Sequence, residues 1–282
     1  MTARHSKRRR AVLGPALRHA TLLVLAALTL LPFLWMVSTS LKGPDEILVA
    51  DIHWWPRNFS AVENYGAAFR MAPLGRYLLN GALVTATILV LQLVVALPAA
   101  FALAKSEFLG RKALFAIVLF GLLVPYHVIA VPLFVSLHAA GLLNTYAALV
   151  TPFSISVFGI FLMRQFFLSV PSDLVDAARM DGMSEFAIVW RVMAPAALPA
   201  ISSFAVFSVV AHWNDYFWPL IAVSSDALFT PPLGVVAFRN DDAGTHYGPL
   251  MAAATIIVLP LVAAFLLAQR RFIEGIAFTG IK

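Results

Sequence analysis

Long apolar intervals alternate with short charged segments along this chain. Residues 19–41 and 77–104 contain no Lys, Arg, Asp or Glu, and residues 113–163 form a third such interval. A helix needs about 20 predominantly apolar residues to cross the hydrocarbon core of a bilayer. Each of the two shorter intervals therefore predicts one membrane-spanning helix. A single helix over the third would be about 77 Å long, whereas one crossing takes about 30 Å.

The third interval must therefore turn back within its length. Its sequence HAAGLLN contains Gly141 and Asn144, two residue types favoured in turns. A turn here divides the interval into two predicted helices, and two further apolar intervals follow towards the C-terminus. The sequence thus predicts an all-α integral membrane protein with six spans, at residues 19–41, 77–104, 113–137, 143–163, 199–223 and 249–268.

The distribution of basic residues predicts the orientation of these spans. The first 18 residues contain six Lys or Arg and no acid, and cytoplasmic segments beside spans are rich in such residues. The 104–112 loop is also basic, whereas the 42–76 and 224–248 loops are neutral or acidic. Six spans return the chain to its starting side, so both termini are expected in the cytoplasm. The expected organisation is a basic tail at 1–18, one transmembrane domain at 19–268 and a cytoplasmic tail at 269–282.

Composition agrees with a membrane protein and excludes other classes. The chain is 61% hydrophobic and 12% charged, whereas a soluble domain carries about 25% charged residues. The net charge of +6 lies in short loops and tails. This distribution is typical of a membrane protein rather than of a nucleic-acid-binding protein. No cysteine is present, so disulfides and thiolate metal sites are excluded.

A cleaved signal peptide is the alternative explanation of the first apolar interval. Its apolar stretch is longer than the usual 7–15 residues of such peptides. No small-residue cleavage site follows LLPFLWMV. A retained membrane-spanning helix is the favoured interpretation.

One segment, VPSDLVDAARMDGMSEFAIVWR at residues 170–191, breaks the apolar pattern. It is charged and rich in alanine, and it predicts two short helices on the cytoplasmic side. Ser172 is expected to cap the first helix, and Gly182 to end it in a left-handed conformation. Ser184 is expected to cap the second helix, which runs towards Pro195. The first helix is expected to present one face made of Leu174, Ala177, Ala178 and Asp181.

This segment has two interpretations. An amphipathic hairpin lying on lipid headgroups is one, but such helices usually carry Lys and Arg on the polar face. Residues 173–185 instead contain four acids and one Arg. The acidic balance favours a protein partner.

The stretch DAARMDGMSEFAIVWRVMAP resembles the EAA signature of ABC-importer permeases, the cytoplasmic loop that docks on the ATPase. Asp176, Ala177 and Ala178 stand at the Glu-Ala-Ala positions, and Gly182 stands at the glycine of the motif. Two departures are the Ala-Pro at 194–195, where Leu-Pro is usual, and Val192, where Ile is common. The resemblance implies docking residues Asp176, Ala177, Ala178, Arg179, Asp181, Gly182 and Glu185, within a coupling loop at about 169–198.

Further stretches, among them PFLWMVSTSLKGPDEI, FALAKSEFLGRKALF, WNDYFWPLI and QRRFIEGIAFTGIK, are similar to carbohydrate-uptake permeases of the maltose and glycerol-3-phosphate type, and to their shorter, six-span partner. The resemblance implies the type I ABC-importer permease fold in a bacterial or archaeal cell membrane. It implies a second permease subunit in a heterodimer, two ATPase subunits that bind ATP and Mg²⁺, an extracytoplasmic solute-binding protein and a sugar-class solute. It also implies that the C-terminal tail reaches the ATPase dimer. The apolar residues of this tail, Phe272, Ile273, Ile276 and Phe278, would equally suit the membrane surface.

Motifs for chemistry within the chain itself are missing. The sequence contains no G-x-x-x-x-G-K-[ST], no H-E-x-x-H and no G-x-S-x-G. His127 and His212 lie within predicted spans, but neither has a second histidine three or four residues away. No catalytic residue, bound cofactor or metal site is expected, and ATP hydrolysis is assigned to a separate subunit.

Asp215, in AHWNDYFWPLIAV, is the only carboxylate within a predicted span. Charged groups inside membranes are costly and usually face protein or water. Trp213, Asn214 and Asp215 are therefore candidates for the translocation path. The alternative is a helix–helix hydrogen bond at Asp215 with the tryptophan as a packing residue. An ion-coupled secondary carrier is the rival function, but such carriers need cation sites or titratable groups near the midplane, and Asp215 stands alone.

Overall fold

The computed structural model describes residues 2–49, 51, 53–238 and 246–279, and these residues are predominantly α-helical. Within them the one β pairing is an isolated bridge between Lys42 and Phe59. The helices are α1 (Thr2–Ser40), α2 (Ala61–Met71), α3 (Leu74–Lys105), α4 (Arg111–Leu123), α5 (Tyr126–Ala139), α6 (Tyr146–Val150), α7 (Val157–Ser169), α8 (Ser172–Met180), α9 (Glu185–Ile188), α10 (Ala194–Ala196), α11 (Leu198–Trp213), α12 (Phe217–Ala222), α13 (Pro231–Gly234) and α14 (Tyr247–Thr279). Four 3-10 turns (Pro44–Glu46, Thr151–Phe153, Asp226–Leu228, Val235–Phe238) and a π-helical segment (Val189–Met193) complete the described elements.

Three helical stretches in the described residues are long and apolar enough to cross a membrane: Leu17–Ser40, Leu74–Lys105 and Tyr247–Leu267. Three further pairs of consecutive helices are long and apolar enough only when the two helices of a pair are taken together. Each pair is bent at a short break. The pairs are Arg111–Leu123 with Tyr126–Ala139 (102°), Tyr146–Phe153 with Val157–Ser169 (41°) and Glu185–Ala196 with Leu198–Trp213 (83°). The structure therefore offers up to six spans if each bent pair counts as one.

Three predicted spans are not continuous helices. The interval 143–163 is one of them, because the 3-10 turn after α6 ends at Phe153 and α7 begins at Val157. The interval 113–137 is broken at Val124 and Pro125, whose backbones are extended. Proline has no N–H to donate, and it disfavours the helical conformation in the residue before it. The interval 199–223 is also broken, because α11 ends at Trp213 and α12 begins at Phe217. Pro219 cannot donate the hydrogen bond that would continue the helix there.

The fold-back turn lies where the sequence predicted it. Gly141 and Asn144 both have positive φ, 66° and 59°, in the left-handed region that Gly and Asn tolerate best. The side-chain oxygen of Asn144 accepts hydrogen bonds from the backbone N–H groups of Ser224 (3.0 Å) and Ser225 (2.9 Å). This residue therefore fixes the turn against the segment that follows α12.

The chain divides into two compact units, residues 1–72 with 237–256 and residues 73–236 with 257–282. In the second unit, α3 packs on α7 and α11. One core cluster joins these helices to α8 and the π-helical segment, and a second cluster surrounds Trp218. The first cluster includes Leu97, Phe101, Met163, Phe167, Val175, Ile188, Met193 and Phe204.

In the first unit, the end of α1 and the following loop enclose Lys42, which is 1% exposed. Its ammonium donates to the His53 carbonyl and lies 4.3 Å from the centre of the Trp35 ring. Asn64 donates to the backbone carbonyls of Ser40 (3.0 Å) and Lys42 (2.8 Å). Lys42, which the sequence assigns to a charged loop, is thus part of a buried network of hydrogen bonds.

The predicted tails lie largely outside the described side chains. α1 begins at Thr2 and α14 continues to Thr279, so the described backbone of both tails is helical. The side chains of residues 1–16 and 270–282, including the apolar residues of the C-terminal tail, lie outside the described set.

Candidate functional site

The 172–196 hairpin is formed by α8, α9, the π-helical segment and α10. Gly182 ends α8 with a φ of 78°. Its N–H donates to the Arg179 carbonyl at 3.0 Å, and the N–H of Met183 donates to the Ala178 carbonyl at 3.1 Å. The Ser184 hydroxyl accepts from the N–H of Ala187 at 3.3 Å. The predicted helix end at Gly182 and cap at Ser184 are both confirmed.

The predicted cap at Ser172 is wrong. Ser172 is the first residue of α8, and Pro171 occupies the cap position without a side-chain hydrogen bond. The Ser172 hydroxyl instead accepts from the Lys105 ammonium at 3.4 Å, and the same ammonium donates to the Val170 carbonyl at 2.5 Å. Lys105 therefore joins the end of α3 to the start of the hairpin.

The face of α8 that the sequence predicts, Leu174 with Ala177, Ala178 and Asp181, is divided between the core and the surface. Val175 and Ala178 are buried in the core, whereas Leu174 is 45% exposed and Ala177 is exposed. The sequence LVDAA supports either of two adjacent stripes at helical spacing, and only packing against α3 and α7 selects between them. Of the implied docking residues, Ala178 therefore faces inward, while Asp176, Ala177, Arg179, Asp181, Gly182 and Glu185 are exposed.

Charges on the exposed side of the hairpin pair with one another. The Arg179 guanidinium donates to both carboxylate oxygens of Glu185 (2.8 and 3.1 Å) and to Asp176 (3.1 Å). The hydrogen bond from Arg179 lowers the pKa of Glu185, and the one to Glu185 raises the pKa of Arg179. This ion pair joins α8 to α9 across the Gly182 turn.

Two exposed apolar residues of the hairpin were not identified from the sequence. Met180 is 90% exposed and Phe186 is 67% exposed, and together with Leu174 they form the apolar part of this surface. The sequence contained a signal for Met180, because this residue lies one turn after Asp176 and therefore shares the charged face of α8. Because we propose below that a partner protein binds here, we call Leu174, Asp176, Ala177, Met180 and Phe186 the docking surface.

Trp213, Asn214 and Asp215 have three different environments. Trp213 is 6% exposed and its indole N–H donates to the Ile257 carbonyl at 3.1 Å, so it is a packing residue. Asn214 is exposed and donates to the Val210 carbonyl at 2.8 Å. Asp215 lies in the break between α11 and α12, where its carboxylate accepts from the N–H of Trp218 at 3.2 Å. The packing interpretation therefore applies to Trp213, and Asp215 caps α12.

A buried hydrogen-bond network next to this break was missed by the sequence reasoning. The Gln92 amide donates to the Phe153 carbonyl (2.9 Å) and to Nε2 of His212 (3.1 Å). The Ser208 hydroxyl donates to the Gln92 side-chain oxygen at 2.6 Å. The signal was a single amide in the apolar interval ILVLQLVVA. Among the described residues no group of three or more His, Asp or Glu side chains could hold a metal ion.

Comparison with known proteins places this chain in a family. Residues 92–277 match the family described as "Binding-protein-dependent transport system inner membrane component". The arabinooligosaccharides transport system permease protein AraQ of Bacillus subtilis is 32% identical over 263 residues, covering 92% of this chain and 93% of AraQ. The diacetylchitobiose uptake system permease protein NgcG of Streptomyces coelicolor is 30% identical over 274 residues, covering 93% of this chain and 87% of NgcG.

A solved structure shares the fold. In the crystal structure of a bacterial ABC transporter involved in the import of the acidic polysaccharide alginate, one chain superposes with a TM-score of 0.80 at 23% identity, covering 95% of this chain and 98% of that chain. The resemblance that the EAA-like hairpin indicated is thereby confirmed. The chain belongs to the family of binding-protein-dependent transport system inner membrane components, the permeases of ABC transporters.

Proposed function

We propose that this chain is the permease subunit of an ATP-driven importer of a sugar or related polyol. Its family is defined by binding-protein-dependent transport. The relatives described above transport arabinooligosaccharides and diacetylchitobiose, which are uncharged and rich in hydroxyl groups. This common chemistry supports a saccharide as the solute.

The proposed topology has six membrane spans, with both termini and the hairpin in the cytoplasm. Three spanning helices and the bent pairs at 111–139 and 146–169 support five of these spans. In the proposed topology the remaining span consists of α11 and α12. The basic residues at 1–18 and 104–112 support the orientation. The 172–196 hairpin then lies on the side where ATP is available.

The observation that carries the proposal is the two-sided construction of this hairpin. Its outer side is the docking surface, where Met180 and Phe186 are exposed to solvent. Its inner side, with Val175 and Ile188, belongs to the core cluster that contains Phe101 of α3 and Phe204 of α11. Because protein cores are close-packed, a displacement of the hairpin by a docked ATPase must move these helices.

The proposed complex contains a second permease subunit, two ATPase subunits and an extracytoplasmic solute-binding protein. ATP and Mg²⁺ bind to the ATPase subunits, and this chain performs no hydrolysis. Closure of the ATPase dimer displaces the hairpin and shifts the permease between inward-open and outward-open states. ATP drives this shift only to the extent that the complex contacts ATP differently in the two states.

The test is uptake by proteoliposomes that contain the complete complex, with arabinotriose, diacetylchitobiose and lactose as probes. We expect uptake that requires ATP and the binding protein, and that persists when ionophores dissipate all ion gradients. Uptake that continues without ATP but stops with the ionophores would instead establish the ion-coupled carrier.

A further inference from the structure

Three helix breaks meet at one group of aromatic rings. The break between α4 and α5 is followed by Tyr126, the break before α7 is preceded by Phe153, and the break between α11 and α12 is followed by Phe217. The centre of the Tyr126 ring lies 5.2 Å from that of Phe153 and 6.2 Å from that of Phe217. The three interruptions, far apart in sequence, are therefore adjacent in space.

Two further residues complete this group. His127 is exposed, and its ring centre lies 4.8 Å from that of Phe217. Asp215 lies two residues before Phe217 and caps α12 through the N–H of Trp218. We call Tyr126, His127, Phe153, Asp215 and Phe217 the break cluster.

Buried hydrogen bonds hold the breaks in place. Gln92 donates to the Phe153 carbonyl, and the buried Trp218 donates its indole N–H to the Ala148 carbonyl at 2.8 Å. The Trp218 ring centre lies 6.3 Å from that of Tyr126 and 6.3 Å from that of Phe153. The irregular backbone is thus supported from behind by specific contacts, which distinguishes it from frayed helix ends.

One polar group of the break cluster is left without a partner. The hydroxyl oxygen of Tyr126 is buried and makes no hydrogen bond with any of the described residues. By contrast, the Tyr146 hydroxyl donates to the Asn80 side-chain oxygen at 2.7 Å. A buried hydroxyl without a partner is costly, and it would be satisfied by a hydroxyl-bearing solute.

We propose that the break cluster is a saccharide-contact site of this chain and that it takes uncharged saccharides. This inference rests on the proposed function. Secondary transporters form solute sites at discontinuous membrane helices. The same kind of interruption occurs here, with aromatic faces beside a hydroxyl and a carboxylate. Asp215 is the one carboxylate of the cluster, and residues 113–163 contain no Lys or Arg. An anionic saccharide would therefore meet a like charge without compensation from these residues.

The first experiment compares two hydroxyl deletions in the complete, reconstituted complex. Tyr126→Phe is expected to lower uptake of the transported neutral saccharide about tenfold at saturating binding protein. The melting temperature should be unchanged or slightly raised, because the buried hydroxyl has no partner to lose among the described residues. Tyr146→Phe, the matched control, is expected to lower the melting temperature and leave uptake unchanged. Wild-type uptake by Tyr126→Phe would overturn the inference while leaving the proposed function intact.

The second experiment uses the absence of cysteine from this chain. His127→Cys is introduced into a complex whose other subunits are also cysteine-free, and its reaction with a small thiol reagent is followed during turnover. Arabinotriose, diacetylchitobiose or lactose, whichever is transported, is expected to suppress the reaction, whereas an alginate trisaccharide is not. Val131→Cys, one turn along α5 and 69% exposed, is expected to react equally in all conditions.

Equal protection at both positions, or protection by the anionic trisaccharide as well, would contradict the inference. Absence of ATP-dependent uptake in the wild-type complex would contradict the proposed function itself. The two failures are therefore distinguishable.

Discussion

The docking surface and the break cluster use polar and apolar groups in opposite ways. Beside the docking surface, Arg179 donates hydrogen bonds to Asp176 and Glu185, and on the surface Met180 and Phe186 remain exposed. In the break cluster the rings contact one another, and a hydroxyl remains without a partner among the described residues. The proposed role of the first surface therefore uses exposed apolar area to bind a protein, and that of the second uses a free hydroxyl to bind a solute.

This difference indicates how each region should respond to substitution. The hairpin depends on a backbone turn that gives its two helices their relative direction, so a change in the turn should abolish binding of a partner. The break cluster depends on buried hydrogen bonds behind the rings, so a change there should first reduce stability. Substitutions in each region test this contrast.

Gly182→Pro should have the largest effect. The φ of 78° at Gly182 is inaccessible to proline, which is restricted to about −65°. We expect the ATPase subunits no longer to co-purify with the permease, while membrane expression is retained because Val175 and Ile188 keep the helices in the core.

Gly182→Ala is the matched control for this substitution. A Cβ at this position meets no atom within 4 Å, so the cost is limited to about 1–2 kcal/mol of left-handed strain. The ATPase should still co-purify. Normal retention and transport in the proline variant would reject the docking assignment.

Gln92→Leu should have the next largest effect, on stability. It removes the donors to the Phe153 carbonyl and to His212, and the acceptor of Ser208. Leaving buried polar groups unpaired costs about 1–3 kcal/mol each, so we expect the melting temperature of the purified complex to fall clearly. Thr85→Val on the same helix is the control, because the buried Thr85 hydroxyl has no partner among the described residues. An equal loss in both variants would show that the network does not support the break cluster.

The sequence indicated the hairpin better than the break cluster for a physical reason. Gly182 and Ser184 determine local turn and cap geometry, which depends on few neighbours. The position of a helix break, by contrast, depends on contacts with residues far away in the sequence. Pro98, Pro132 and Pro260 all lie inside helices, whereas Pro125 lies in the break between α4 and α5. Because neighbouring helices can satisfy the carbonyls that a proline frees, tertiary packing decides which proline breaks a span.

Substitutions of Asp215 distinguish a helix-capping role of this residue from a contact with the solute. Asp215→Asn retains an oxygen that can accept from the N–H of Trp218, so assembly and the melting temperature should stay near wild type. If the carboxylate excludes anionic saccharides, this variant should discriminate less between neutral and anionic probes. Asp215→Leu should lose the cap, at about 1 kcal/mol, and reduce neutral uptake severalfold. Wild-type uptake and selectivity in both variants would exclude Asp215 from the translocation path.

The smallest expected effect is a pH dependence of the hairpin. The hydrogen bond from Arg179 lowers the pKa of Glu185 below its ordinary value of 4.5. A carboxylate with a depressed pKa in the folded state contributes stability above its ordinary pKa, and this contribution is lost as the pH falls through the folded-state pKa. Because the pair is largely solvent-exposed, the contribution should be at most about 1 kcal/mol and should decrease with salt.

Glu185→Gln should therefore lower the melting temperature of the complex slightly between pH 5 and 7, and the difference from wild type should shrink below pH 4.5. Asp173→Asn is the control, since Asp173 is exposed and forms no salt bridge among the described residues. Its difference from wild type should not share this salt-sensitive decline. A Glu185→Gln difference that persists unchanged through low pH and high salt would mean that packing, and not the ion pair with Arg179, joins α8 to α9.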